Sequence, residues 1–168
     1  PNVLLKYLDT ITGNGALAVP VVLFGNRNYD DSLIELRDIL ENHGFKTIAA
    51  GAFVGEHSFS KILAEGRPDA DDIKEAIGFA DDIYKKISEG TFMSPVAVKG
   101  EEPIRPYYQP RDRKGNPVNI LKVKPEINKE LCDKCGICAE VCPMGSIDPE
   151  DVFSYKGICI KCGACEKK

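Results

Sequence analysis

Two periods of apolar residues alternate along the first 90 positions. ALAVPVVLF (16–24) is a near-continuous apolar run with several β-branched residues, the pattern of a buried parallel strand. Proline sits badly in a central strand, so Pro20 is expected to be the strand's first residue, giving 20–24. GNRNYD (25–30) is a loop. DSLIELRDILENHG (31–44) predicts a helix with Leu33, Leu36 and Leu40 as its stripe, Asp30 or Asp31 as its cap and Gly44 at its end. FKTIAAGAF (45–53) predicts a second strand. RPDADDIKEAIGFADDIYKKISEG (67–90) is the clearest helix: Ile73, Ala76, Ile77, Ala80, Tyr84 and Ile87 form its apolar face, acids open it and lysines close it. Val3, Leu4, Leu5 and Leu8 fit the end of a helix further upstream.

Strand, helix, strand, helix implies a parallel βαβ arrangement. Two strands cannot cover both faces of three helices, and parallel sheets usually hold four or more strands. Residues 1–90 are therefore expected to be part of a larger doubly wound α/β domain that continues before Pro1. Residues 91–124 hold five prolines and no sustained period, which predicts a linker with a short hairpin around Lys114, Gly115 and Asn116. Residues 125–168 are the third segment.

Charge sharpens this division. Residues 1–89 carry 9 Lys+Arg against 15 Asp+Glu, net −6; residues 90–124 carry 7 against 3, net +4; residues 125–168 carry 6 against 8, net −2. The basic linker could hold against one of its acidic neighbours, although a solvated linker is the simpler expectation. The mild overall acidity points to neither nucleic-acid nor membrane partners, no apolar run reaches membrane-spanning length, and no export signal is visible.

All seven cysteines fall between Cys132 and Cys165. Seven clustered thiols without an export signal favour metal ligation in a reducing cytoplasm over a disulfide scaffold. LCDKCGICAEV (131–141) aligns with ICIKCGACEKK (158–168) at an offset of 27, with five of eleven positions identical. Cys142-Pro143 completes the first copy as C-x2-C-x2-C-x3-C-P, the bacterial iron–sulfur run, in which the fourth cysteine ligates the other cluster of a pair. Cys142, Cys159, Cys162 and Cys165 are then one [4Fe-4S] ligand set. Cys132, Cys135 and Cys138 are three ligands of a second set, whose fourth is expected directly after Lys168. Gly136 and Gly163 allow tight turns beside a cluster, and Pro143 sets the chain direction after a ligand. Zinc also takes four thiolates, but usually from two C-x2-C knuckles, and is the competing metal.

On these motifs residues 131–168 resemble bacterial two-[4Fe-4S] ferredoxin domains. VVLFGNRNYDDSLIELRDILENHGFKTIAAGAF is similar to the C-terminal half of a flavodoxin-like domain. Together, in this order, they resemble the flavodoxin–ferredoxin fusion proteins of anaerobic bacteria, the EFR-type ferredoxin family. The resemblance implies FMN at the carboxyl ends of the strands, with Gly25, Asn26, Arg27, Asn28 and Tyr29 as the loop against its ring, Tyr29 stacking on it, and Glu56, His57 and Ser58 bordering the site. The flavodoxin phosphate loop is not matched: TGNG (12–15) follows a helix and precedes a strand, so it reads as a turn. The implied function is electron transfer through two [4Fe-4S] clusters coupled to FMN in an intact cytoplasmic protein, between redox partner proteins. A zinc-loaded or metal-free interaction module, or an electron-delivering subunit of a larger redox enzyme, are the alternatives. The sequence holds no Ser/His/Asp or paired-acid constellation and no nicotinamide fingerprint.

Overall fold

The computed structural model describes residues 4–119 and 124–167. The chain divides into two compact units, Pro1–Pro106 and Tyr107–Lys168. Val3, named above in the upstream helix, lies outside the described residues, as does Lys168.

The first unit is a mixed helix/strand fold with small parallel sheets. Its elements are α1 (Leu5–Leu8), β1 (Leu17–Ala18), β2 (Val21–Phe24), α2 (Ser32–Asn42), β3 (Lys46–Thr47), β4 (Gly51–Val54) and α3 (Ala70–Glu89). The predicted strand 20–24 is β2, with the short β1 before it in the same apolar run, and the predicted strand 45–53 is split into β3 and β4. β1 pairs with β3 from Leu17↔Lys46, and β2 pairs with β4 from Val21↔Gly51. The sequence offset between partners thus changes from 29 to 30. Val19 and Pro20 face three residues, 48–50, across the break. Pro20 has no N–H to give a ladder, so the extra residue is absorbed beside it. Its carbonyl still accepts from Gly51 N–H at 3.0 Å, which restarts the pairing.

The expectation of a doubly buried strand is corrected. β2 alternates exposed and half-buried, and Leu23 is 76 % exposed. α3 keeps its predicted span, with an Asp69/Asp72 capping box and Gly90 in the left-handed region at φ 64°. Its apolar face is not a core face, however: Ile73, Ile77, Tyr84 and Ile87 are all exposed. The helix docks through Phe79, whose ring meets Phe53 edge-on at 5.5 Å. Two ladders of four and two residue pairs are too narrow to cover more of it.

α2 buries Leu33 of its predicted stripe but reaches beyond that stripe. Ile34, on the edge of the Leu33/Leu36/Leu40 face, is buried at 2 % exposure, because residues 94–105 return across the helix. Val96 N–H donates to Thr47 O at 3.0 Å, and Arg37 Nη1 donates to Val96 O at 3.1 Å. Asp31 stands at the N-cap position but its carboxylate makes no cap hydrogen bond. It accepts instead from Arg105 Nε (2.8 Å), Nη2 (2.6 Å) and backbone N–H (2.9 Å), and from Glu101 N–H (3.2 Å). The basic segment therefore contributes a cation to an acidic helix end. The turn at 12–15 is as expected, with Gly15 N–H bonded to Gly44 O at 2.7 Å.

These ion pairs set an acid limit. The Arg105 guanidinium holds the Asp31 carboxyl well below the usual carboxylate range. Arg67 likewise lowers Asp72 to about 2. A carboxyl depressed in the folded state stabilises the fold above its unfolded value of about 3.9 and loses that contribution as pH falls through the folded value. Circular dichroism on acid titration should therefore show the first unit weakening between about pH 4 and pH 2. Asp31→Asn should be less stable at neutral pH and flatter across that window; an unchanged acid profile would contradict the pairing.

In the second unit, residues 110–118 form the predicted hairpin. Arg111 bridges Pro117, and Asp112 N–H donates to Asn116 O at 2.9 Å. A second antiparallel bridge, Ile147↔Tyr155, joins the segment after the first cysteine copy to the segment before the second. Ile147, Val152 and Ser146 are its buried centre.

Candidate metal centre

The two cysteine loops repeat in backbone geometry as well as in sequence. Lys134 and Lys161 both have φ 61°, and Gly136 and Gly163 have φ 80° and 74°. Left-handed residues at these two positions turn each C-x2-C-x2-C loop back on itself. Each glycine carbonyl then accepts two N–H groups: Ala139 (2.9 Å) and Glu140 (3.1 Å) in the first copy, Glu166 (3.0 Å) and Lys167 (3.2 Å) in the second. In the first copy this turn becomes α4 (Ile137–Glu140), which carries Cys138.

Cys142 follows α4 and faces the second copy. Ser146 makes the link. Its N–H donates to Cys142 Sγ at 3.3 Å, and its hydroxyl donates to Ile158 O, the residue before Cys159. Burial pushes the Cys142 thiol up, but N–H groups of Ser146, Met144 and Ile147 outweigh it and lower the net value, which favours the ligating thiolate. Burial raises the Cys165 thiol, and the nearby charges of Cys159, Cys162 and Cys142 raise it further. Those four cysteines thus sit in one electrostatic neighbourhood. Tyr155 lies between the copies. Burial raises its phenol, followed by the charges of Cys165, Cys159, Cys138 and Cys142, and its hydroxyl donates to Pro125 O at 2.6 Å.

A cavity of about 320 Å³ opens beside Tyr155, lined by Cys138 and Cys165 with Ile127, Ile147 and Glu166. All seven cysteines are free thiols, and only Cys135 is exposed. Asp133 accepts Cys135 N–H at 3.0 Å and so shapes the first loop. Among the described residues no three His, Cys, Asp or Glu side chains are gathered as round a single metal ion.

One polar atom in this unit is unaccounted for. Lys161 Nζ is buried and has no hydrogen-bond partner among the described residues. A buried ammonium needs an anion. In the sequence Lys161 stands between Cys159 and Cys162, and an iron–sulfur cluster with thiolate ligands carries net negative charge. The donor set and the orphaned cation both fit such a cluster.

The loop Gly25–Tyr29 lies at the carboxyl end of β2. Asn26 has φ 58°, Asn28 Oδ1 accepts Asp30 N–H at 2.9 Å, and the Tyr29 ring meets Phe24 edge-on at 5.2 Å. Arg27 is exposed. Gly25 abuts His57: a Cβ on it would stand 2.7 Å from His57 Cα. A cavity of about 380 Å³ beside the loop is lined by Val21, Leu23, Asn28, Tyr29 and Leu36 among others. The turn at 12–15 leads into β1, so it is not a helix N-terminus that could take a phosphate.

A family model described as a 4Fe-4S binding domain matches residues 124–147. This segment holds the complete first copy, Cys132, Cys135, Cys138 and Cys142. This match and the C-terminal cysteines support a ferredoxin-like iron–sulfur domain in the second unit. No curated protein and no solved structure matches the chain. No helix among the described residues is long and apolar enough to cross a membrane.

Sequence reasoning missed Ser146, Tyr155 and the burial of Lys161. Ser146 and Tyr155 lie between the motif copies and belong to no periodic pattern. Lys161 stood in plain view as one of the five identities, but its surroundings differ from those of Lys134.

Proposed function

We propose that this chain transfers single electrons through two [4Fe-4S] clusters, between redox partner proteins in the cytoplasm. The observation that supports the reading is the repeated cysteine run completed by Cys142-Pro143, whose first copy lies in the segment matched by a 4Fe-4S binding domain model. An iron–sulfur cluster supplies one-electron transfer when bound. The chain's own residues do the rest. Cys142, Cys159, Cys162 and Cys165 would hold one cluster, and Cys132, Cys135 and Cys138 would supply three ligands of the other. Ser146 N–H orients the Cys142 sulfur and stabilises its charge. Ile147 and Tyr155 line the cavity that Cys138 and Cys165 share.

In this reading residues 1–90 are part of a flavodoxin-like domain, residues 91–124 are a connector whose stretch 94–105 packs back across α2, and residues 125–168 are the ferredoxin-type domain. FMN is its cofactor in the intact protein, against Gly25–Tyr29. The placement of that loop at the carboxyl end of a parallel strand, beside His57, supports this. The described residues hold no phosphate site, so binding of FMN by this chain alone is expected to be weak.

Anaerobic reconstitution with iron and sulfide tests the proposal. Absorbance near 400 nm that bleaches on reduction, with iron and sulfide in equal amounts, supports it. Zinc bound in preference to iron, with no sulfide, would replace it with a structural module.

A further inference from the structure

The two cysteine loops carry a lysine at the same position and in the same backbone conformation, yet the two cations have different surroundings. Lys134 follows Asp133, and its Nζ lies 5.8 Å from the centroid of the Phe153 ring. Lys161 follows Ile160, which replaces the acid, and its Nζ is buried with no partner among the described residues. Of the charged residues nearest in sequence, Glu166 lines the cavity beside Cys165, and Lys156 is paired with Asp148 at 2.8 Å.

Leaving an ammonium buried and unpaired costs several kcal/mol. A chain keeps it there when its anion arrives later. Within this loop the anion that fits is a cluster held by thiolates, whose negative charge increases on reduction. A fixed cation beside it stabilises the reduced state more than the oxidised one, because the Coulomb term scales with the cluster's charge and burial weakens screening.

From this we infer that Lys161 is a positioning residue that raises the reduction potential of the cluster held by Cys142, Cys159, Cys162 and Cys165, and that Lys134 has no matching effect on its own loop. The two clusters are thereby made unequal, and electrons settle first on the one whose loop carries Lys161. The inference rests on the iron–sulfur reading above.

The test is a mediated anaerobic redox titration of the full chain after reconstitution, followed by electron paramagnetic resonance, for wild type, Lys161→Met, Lys161→Arg and Lys134→Met. Lys161→Met is expected to weaken reduction about tenfold, a fall of about 59 mV for one electron. Lys161→Arg keeps the charge and should stay within half that shift, as should Lys134→Met. If Lys161→Met fails to assemble a cluster that Lys161→Arg assembles, the charge requirement stands by that route. Equal shifts in Lys161→Met and Lys134→Met, or equal effects of Met and Arg at position 161, overturn the inference. Absence of any cluster in the wild-type chain instead overturns the iron–sulfur reading, which keeps the two failures apart.

Discussion

Cys142→Ala is expected to strip about four iron and four sulfide from the reconstituted chain. The atoms lost are those held by the second cysteine copy, although the substitution lies in the first. The reason is geometric. Cys142 follows α4 and shares an electrostatic neighbourhood with Cys159, Cys162 and Cys165. Ser146 ties it to the residue before Cys159 through its N–H and its hydroxyl. Removing the thiol takes away a proposed ligand and leaves the Ser146 N–H aimed at nothing. Iron and sulfide analysis after anaerobic reconstitution reads the loss directly. A variant that retains the wild-type iron content would show that Cys142 is not a ligand. Cys135→Ala is the companion measurement, since it should leave the spectrum of the second-copy cluster in place.

Ile34→Ala is expected to destabilise the first unit by about 2–5 kcal/mol, the usual range for truncating a buried isoleucine. Ile34 is 2 % exposed and lies under the returning segment. Gly100 sits so close that a Cβ there would stand 2.3 Å from Ile34 Cγ2. The truncation therefore opens a cavity under a segment that cannot easily close over it. Gly100→Val probes the same contact from the other side and should lift residues 94–105 off α2, exposing the Arg105–Asp31 pair. Denaturant unfolding followed by circular dichroism measures both. A change below about 0.5 kcal/mol in Ile34→Ala would place the residue at the surface instead.

The helices were legible because their signals are local. α3 carries its start in Asp69 and Asp72, its stop in Gly90 and its period in between, so its span is close to the one predicted. The ladder partners were less legible. Pro20 warned of a fault in the first strand, but nothing in FKTIAAGAF announces that residues 48–50 must bulge opposite it. The hairpin at 110–118 was readable from its turn residues. Burial was read least well. The apolar faces of β2 and α3 predicted core and are open in this structure, because what covers a face is a matter of neighbours that periodicity does not name.

The cysteine spacing by itself pointed to iron–sulfur chemistry, which the 4Fe-4S binding domain match over residues 124–147 supports. A cysteine run repeated at an offset of 27 is a local covalent pattern, and its two loops share positive φ at Lys134 and Lys161 and at Gly136 and Gly163. Only the tertiary structure decided how the copies differ. Asp31, readable as a helix cap, instead holds Arg105 from 74 residues away. Lys134 and Lys161, interchangeable in the repeat, end against an aromatic ring and in a buried position without a partner. Charge and burial act through space, so two identical motifs become two different sites once the chain between and around them has folded.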